Sequence, residues 1–396
     1  MRTKGWQTKS IGELCELIGG GTPAKNNSAF YGGNIPWASI RDIQSDILTS
    51  TEFSITEDAV RASSTNIIPR GNVVMACRVG LGKVCIVDQD TAINQDLRAV
   101  IPRKSNEIER RFLLRWLQSK AEDIQAAGKG ATVKGVTVPF IAGMRIPLPP
   151  LPDQQRIVDL LDEAFAALAT AKANTEKNLQ NARALFESHL DAHVGRGKKG
   201  WIESTIGTCT RFIDYRGKTP KKTTSGLRLI TAKNVKIGYL QETPLEFVAP
   251  DSYDAWMTRG IPKFGDVLFT TEAPLANVAQ LDTTDKVVFA QRIIIMQADP
   301  SQLDSTFLKY LLLSETVQQR ILGKGTGATV QGIKASLLKT IKISFPRTTE
   351  TQRKLVSQLG SLSAETQRLA SLYRQKLTAL DALKKSLLHH AFTGQL

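Results

Sequence analysis

Long segments of this chain occur twice, the second time about half a chain length after the first. Trp6–Gln7–Thr8–Lys9–Ser10–Ile11–Gly12 returns as Trp201–Ile202–Glu203–Ser204–Thr205–Ile206–Gly207, 195 residues on. Gly128–Lys129–Gly130–Ala131–Thr132–Val133–Lys134–Gly135 returns 197 residues on as Gly325–Thr326–Gly327–Ala328–Thr329–Val330–Gln331–Gly332. Asp153–Gln154–Gln155–Arg156 returns at the same offset as Glu350–Thr351–Gln352–Arg353. Solenoid repeats run only ~20–50 residues, so this period marks a duplicated domain. Two copies of one module give internal two-fold character, which suits the reading of a split site on DNA.

A chain of 396 residues is long enough for two or three domains, each with its own core. No apolar run reaches the ~20 residues that span a bilayer. Met1–Arg2–Thr3–Lys4–Gly5–Trp6 lacks the apolar core of a signal peptide, so a cytoplasmic location is expected. Cys15, Cys77, Cys85 and Cys209 form no Cys-x-x-Cys pair and do not follow the duplication, which argues against a shared disulfide or zinc framework. They read as small buried apolar residues. The net charge of +15 is spread as +5 over residues 1–150, zero over 151–200, +5 over 201–346 and +5 over 347–396. Both large modules are thus equally basic, as expected if both face a polyanion.

Each copy has two parts. The first carries short β-branched runs bounded by Gly, Pro, Asp or Asn. Asn72–Ala76, Val84–Val87 and Leu97–Ile101 are answered by Asp266–Thr270, Lys286–Phe289 and Ile293–Met296. Helical segments follow at Phe112–Leu117 and Phe307–Leu312. This part reads as a mixed α/β (α+β) domain. The character changes after Pro147–Leu148–Pro149–Pro150–Leu151–Pro152 and after Phe345–Pro346, beyond which neither copy contains a proline. Apolar residues then recur every three or four positions. In the first copy the series is Ile157, Leu161, Ala164, Leu168, Ala171, Thr175, Asn178, Ala182, Leu185 and His189. In the second it is Leu355, Leu359, Leu362, Thr366, Leu369, Tyr373, Lys376, Leu380, Leu383 and Leu387. This spacing predicts a helical seam in each copy, the polar members setting register. Each helix of ~40 residues would be ~60 Å long, and the economical way to bury both seams is antiparallel pairing of the two. The expected organisation is a first mixed α/β domain over 1–152, a spacer helix over 153–197, a second such domain over 198–347 and a second helix over 348–396. Leu387–Phe392, apolar near the chain end, reads as a closing contact or docking surface.

Catalytic signatures are missing from the sequence. It holds no adenosylmethionine-binding glycine motif, no Asp/Asn-Pro-Pro-aromatic tetrapeptide, no phosphate-binding Gly-x-x-x-x-Gly-Lys-Ser/Thr loop and no Asp…Glu-x-Lys nuclease set. The four histidines lie on the two helices. His189 and His193 are four apart, but further ligands are missing and the second copy has Leu387 and Ala391 there. A chain without catalysis of its own is expected, with no metal and no cofactor.

What remains is a set of polar loops suited to phosphate and base contacts. Thr22, Lys25 and Asn26 lie in Gly20–Asn27, answered by Lys218, Lys221 and Lys222 in Arg216–Lys222. Ser39 and Arg41 lie in Trp37–Asp42, answered by Thr231, Lys233 and Asn234. Arg78 and Lys83 lie in Arg78–Lys83, whose counterpart begins at Thr271 and has no matching base. Asn94 and Gln95 lie in Asn94–Gln95–Asp96, answered by Ala290–Gln291–Arg292 with its Gln291 and Arg292. Lys129, Thr132 and Lys134 belong to the first Gly-Ala-Thr-Val loop, Lys324 and Thr329 to the second. Glycines and apolar strand residues persist between copies while the polar tips change, as two modules reading different half-sites require. For any one of these residues the competing explanation is an ordinary solvated loop side chain. The competing function is an adaptor without DNA, two peptide-binding domains on a helical spacer.

The Trp/Ile-Gly openings, the Gly-x-Thr-Pro loops (Gly21–Thr22–Pro23; Gly217–Lys218–Thr219–Pro220), the Pro-rich lead-in Ile146–Pro150 with its Asp/Glu-x-Gln-Arg helix, and the terminus Ala391–Leu396 together resemble the specificity subunit of type I restriction-modification systems. The resemblance covers the whole chain and is weakest in the recognition loops. The second copy departs from it at Thr349–Arg353, where the motif is less full. The resemblance implies two target recognition domains separated by paired helices that act as a ruler between the halves of an interrupted asymmetric DNA site. It also implies two methyltransferase (modification) subunits as partners, and restriction subunits in the full complex. S-adenosylmethionine, ATP and Mg²⁺ would then be used by those partners.

Overall fold

The computed structural model describes residues 6–130, 133–195, 197–215, 219–290, 292–327 and 331–396. The chain is mixed α/β and divides into two compact units, residues 1–175 with 375–396 and residues 176–374.

In the first unit, Gln7–Ser10 pairs antiparallel with Arg145–Leu148, so the start of the module lies beside its Pro-rich end. Ser10 caps the short helix Ile11–Leu14 in a reciprocal arrangement with Glu13. A five-stranded sheet runs in the order Cys15–Gly19, Leu97–Pro102, Val73–Ala76, Val84–Val87, Ile47–Leu48, antiparallel except for the last pair. A four-stranded sheet, Phe53–Ile55, Tyr31–Ala38, Thr91–Ile93, Asn66–Ile68, has a parallel pair at its centre. The helix Arg110–Ser119 buries Phe112, Leu113, Leu114, Trp116 and Leu117. Burial of such side chains is worth ~1.5–3 kcal/mol each, which makes this helix a principal anchor of the module.

The second unit repeats the plan. Trp201–Thr205 pairs with Lys342–Pro346. One sheet runs Thr210–Asp214, Ile293–Ala298, Val267–Thr271, Leu275–Gln280, and the other Lys222–Thr223, Phe247–Val248, Leu227–Ile230, Val287–Phe289, with Leu227–Ile230 and Val287–Phe289 parallel. The helix Ser305–Leu313 buries Phe307, Leu308, Tyr310, Leu311 and Leu312.

The α/β parts give way to two long helices, Leu151–Leu190, continued by a π-helical turn Asp191–Gly195, and Thr349–Phe392. Both unit boundaries fall within them. Inside the first unit the helices pair antiparallel: Lys172 Nζ lies 3.1 Å from Asp381 Oδ1, and Lys384 sits 4.8 Å over the Phe165 ring. Leu388 and Ala391 are buried in the first module's core, and Phe392 meets Phe112 edge-on at 5.1 Å. The apolar C-terminal stretch is therefore a closing contact. Inside the second unit, Phe186, Leu190 and Val194 share a core with Leu355, Val356 and Leu359.

The seam needs one correction. Ile157, Leu161, Leu168, Thr175 and Ala182 are buried or partly so, and Leu355, Leu359, Leu362, Leu369, Leu380 and Leu387 likewise. Leu185 is 53% exposed and Leu383 48%. Asn178, His189 and Lys376 are exposed as well, and their neighbours Phe186, Leu179, Leu190 and Leu377 are the inward residues. In the first helix the inward residues are Ile157, Val158, Leu161, Phe165, Leu168, Thr175, Leu179, Ala182, Phe186 and Leu190. From Leu161 and again from Thr175 a step of four comes before the step of three, the reverse of the expected order. A 3.5-residue repeat permits both orders, and the larger Phe165 and Phe186 side chains decide between them by filling their cores.

All four cysteines are free and buried, and burial pushes the thiols of Cys15 and Cys85 up to about 12. Another buried polar position distinguishes the copies. Asn72 and Asp266 stand at the head of matched central strands, and Asp266 Oδ2 accepts from Lys263 N and Gln297 Nε2, both at 2.7 Å. Burial raises the Asp266 carboxyl above the usual range despite these bonds. A carboxyl raised on folding stabilises below its unfolded value and loses that contribution as pH rises through the folded one. Asp266→Asn is therefore expected to raise the unfolding temperature at pH 7.5, with the gap shrinking towards pH 4. A variant no more stable than the parent at pH 7.5 contradicts this.

Candidate nucleic-acid interface

In the first module, backbone bonds gather the polar loops onto one edge. Gly21 N donates to Ile93 O and Asn94 N to Ala38 O, which joins the Thr22, Ser39 and Asn94 loops. Trp37 Nε1 donates to Gly21 O at 3.1 Å. Cys77 N and Arg78 N both donate to Asp96 O, and Val136 N donates to Cys77 O. The glycine-rich loop closes on itself through the Lys129–Gly135 bridge and onto Arg78 through the Arg78–Gly135 bridge. Thr22 Oγ1 donates to Gln95 Oε1. Arg78 Nη1 lies 3.7 Å from Asp96 Oδ1, which Asn94 steadies through its own side chain. Lys25, Asn26, Arg41, Lys83, Gln95, Lys129 and Lys134 are exposed on these loops, and Thr22 and Ser39 are half-buried. Lys83 Nζ donates to Ile43 O at 3.0 Å, so its ammonium also ties two loops together.

The second module gathers the same loops. Ala290 N donates to Ile230 O, Thr271 N to Arg292 O and Ile333 N to Thr271 O. Bridges join Thr326 to Gly332 and Glu272 to Gly332. Arg292 Nε lies 3.1 Å from Glu272 Oε1. Lys221 and Lys233 are exposed, Thr231 is half-buried, Lys222 pairs with Glu246 at 2.8 Å, and Lys324 donates to Thr340 Oγ1. Thr132, Lys218, Gln291 and Thr329 lie outside the described residues.

Three expected contact residues are buried. Asn234 is fully buried: its Oδ1 accepts from Thr231 N and Oγ1, and its Nδ2 donates to Gln241, Glu242 and Pro244 carbonyls. Asn94 is 6% exposed and Thr271 3%. A polar residue at a tight turn satisfies the local backbone first, which removes it from the surface. Asp42 plays the part of Asn234 in the first module, accepting from Ser39 N and Oγ, a matched turn that Ser-x-x-Asp and Thr-x-x-Asn spacing announces.

Two features escape a residue-by-residue sequence reading. The first is the counterpart of Arg78. Loop by loop it has none, yet Arg292 brings a guanidinium to the same contact from its other side. The second is Gln154, fully buried, where the motif match had put Gln155 opposite Gln352. Gln154 Nε2 donates to Glu107 O and Pro149 O at 3.0 and 2.9 Å, and its Oε1 accepts from Glu109 N at 2.8 Å. Gln352 bonds Gln302 O, Pro346 O and Asp304 N at 2.8, 2.9 and 2.8 Å. Gln155 and Arg156 face solvent.

Each of the two α/β modules is packed on a long helix and carries a set of gathered loops whose polar tips differ from those of the other. Among the described residues no group of three or more His, Cys, Asp or Glu could hold a metal ion, and no helix is long and apolar enough to cross a membrane. The chain belongs to the type I restriction modification DNA specificity domain family, which it matches over residues 3–180 and 259–377. It is 36% identical over 190 residues to the EcoR124I/EcoR124II specificity subunit of Escherichia coli, 46% of either chain. It is 27% identical over 258 residues to the MjaIX specificity subunit of Methanocaldococcus jannaschii, 60% of this chain and 57% of that one. The chain thus spans about half the length of these two relatives. With the MjaVIII specificity subunit of the same organism it shares 22% over 412 residues, 99% of this chain and 93% of the relative. A chain from a solved structure concerning complex assembly and conformational transition of the type I R-M system superposes with a TM-score of 0.79 at 19% identity over all of both chains. The HsdS subunit from Thermoanaerobacter tengcongensis gives 0.56 at 18%, over 99% of this chain and 97% of that one. At such identities the two solved structures speak for the fold.

Proposed function

We propose that this chain is the DNA sequence-recognition subunit of a type I restriction-modification complex. It binds a bipartite asymmetric duplex site, one half per module, and scaffolds methyltransferase and restriction subunits that carry the catalysis. The observation that supports this most is the contrast within the repeat. The loops that gather at the edge occupy matched positions in both modules, while Arg78, Asp96 and Lys129 in one are answered by Glu272, Arg292 and Thr326 in the other. Twin scaffolds with unlike tips suit two unlike half-sites. The excess of Lys and Arg in both modules supplies the attraction to phosphate.

The test is duplex binding by the full chain co-purified with its modification subunit, followed by mapping of methylated adenines in host DNA. One interrupted asymmetric motif is expected. Affinity should fall steeply with salt, ~10³-fold or more between 50 and 200 mM if six or more phosphates are neutralised. Absence of duplex binding at low salt, with extended peptides captured instead, would make the chain a peptide adaptor. Methyl transfer by the purified chain alone would move catalysis onto it.

A further inference from the structure

Resting on that reading, we propose that Arg78 and Arg292 are the specificity-determining side chains of the two modules, each braced by a carboxylate from the facing loop. The two ion pairs are one contact with its charges exchanged. Arg78 follows the strand Val73–Ala76 and bridges to Gly135; Glu272 follows the strand Val267–Thr271 and bridges to Gly332. Asp96 and Arg292 immediately precede the matched strands that begin at Leu97 and Ile293. Arg78–Asp96 in one module is therefore Glu272–Arg292 in the other.

A tie that only held two loops together would need no guanidinium at the surface. Here both are about half exposed, at 48% and 46%; the Asp96 carboxylate is 17% exposed and the Glu272 carboxylate 45%. A guanidinium carries five donors, and one carboxylate engages a single edge of it, so the free edge of the planar fork can meet a base edge while the ion pair holds another.

The backbone at the contact is strained in both modules. Val79 has φ +34 and its equivalent Ala273 φ +45, and Arg292 itself has φ +76. A β-branched residue at positive φ is a genuine outlier, and such conformations persist where the surroundings impose them, typically at functional sites. Exchange of polarity also moves the guanidinium. It rises from the loop after Val73–Ala76 in the first module and from the residue before Ile293–Ala298 in the second.

The experiment selects duplexes from a random pool with the full chain and its modification subunit, comparing the parent with Arg78→Lys, Arg78→Gln, Arg292→Lys and the double variant Arg78→Glu/Asp96→Arg. Arg78→Lys keeps the charge and the ion pair but loses the bidentate fork. It is expected to hold overall duplex affinity within about threefold while discrimination at one base pair of one half-motif falls about tenfold. Arg292→Lys should do the same in the other half-motif alone. The double variant, which keeps an ion pair of the second module's polarity, should select an altered first half-motif. If Arg78→Lys and the double variant both select the parental motif undiminished, the pair is a loop tie and the proposal falls while duplex recognition stands. Both half-motifs changing together under Arg78→Lys would also overturn it. A parent that selects no duplex overturns the recognition reading, and this inference with it.

Discussion

Gln154→Leu will destabilise the first unit by about 3–5 kcal/mol, and Gln352→Leu the second by as much. Each glutamine lies at the start of a long helix and is wholly buried. Each accepts from the backbone N–H of an N-cap residue, Glu109 or Asp304, and donates to two carbonyls, one of them at the end of the Pro-rich strand. The N-caps in turn hold the first turns of Arg110–Ser119 and Ser305–Leu313, through Phe112 N at 2.6 Å and Phe307 N at 3.0 Å. One side chain thus joins three elements. Leucine fills the volume but orphans one donor and two acceptors, at ~1–3 kcal/mol for each buried group. For a unit of about 200 residues that corresponds to a loss of roughly 10 °C in its unfolding midpoint. Thermal unfolding of the full chain, with hydrogen exchange to locate the weakened unit, measures it. Midpoint shifts below 2 °C, or both units weakened by either change, would contradict the clamp.

Arg115→Met is expected to cost the first unit about 2–3 kcal/mol. Arg115 is only 6% exposed and contacts Asp46 Oδ2 through Nη1 at 2.5 Å and Asp162 Oδ1 through Nε and Nη2 at 2.9 and 2.5 Å. Its guanidinium also lies 4.8 Å over the Phe165 ring. Removing one member of a buried pair costs ~3–5 kcal/mol when the survivor is left dry. Asp162 and Asp46 are 33% and 40% exposed, so water recovers part of that. Methionine keeps most of the packing over Phe165. A double-mutant cycle with Asp162→Asn isolates the pair, and a coupling of about 1–2 kcal/mol is expected. A loss under 0.5 kcal/mol for Arg115→Met would show the grip to be packing alone. The second module places Tyr310 at this position, its ring 6.4 Å from Phe186, so an aromatic contact to the long helix takes the place of the ionic one.

Much of this architecture is legible in the residues. The repeat announces two modules, β-branched runs locate the central strands to within a residue or two, and the loss of proline after Pro152 and Pro346 marks where the long helices begin. Failures concentrate where two local solutions are nearly equal in energy. Leu185 and Phe186 are adjacent apolar residues on one helix, and periodicity alone does not say which turns inward. Gln154 and Gln155 are chemically identical neighbours, and only one of them reaches the carbonyls of Glu107 and Pro149. Asn94, Asn234 and Thr271 have the chemistry of contact residues, yet their turns and strands draw them inside.

The amino-acid order by itself determined the duplication, the kind of each element and the presence of matched polar loops, because propensity, proline and hydrophobic period act over a few neighbouring residues. Tertiary structure alone decided which glutamine is buried, which phase of each seam faces inward, and that Arg78 with Asp96 and Glu272 with Arg292 are one contact of inverted sign. Those outcomes depend on atoms that meet across tens or hundreds of residues of chain. Burial and hydrogen-bond satisfaction then choose among side chains that local rules leave equivalent.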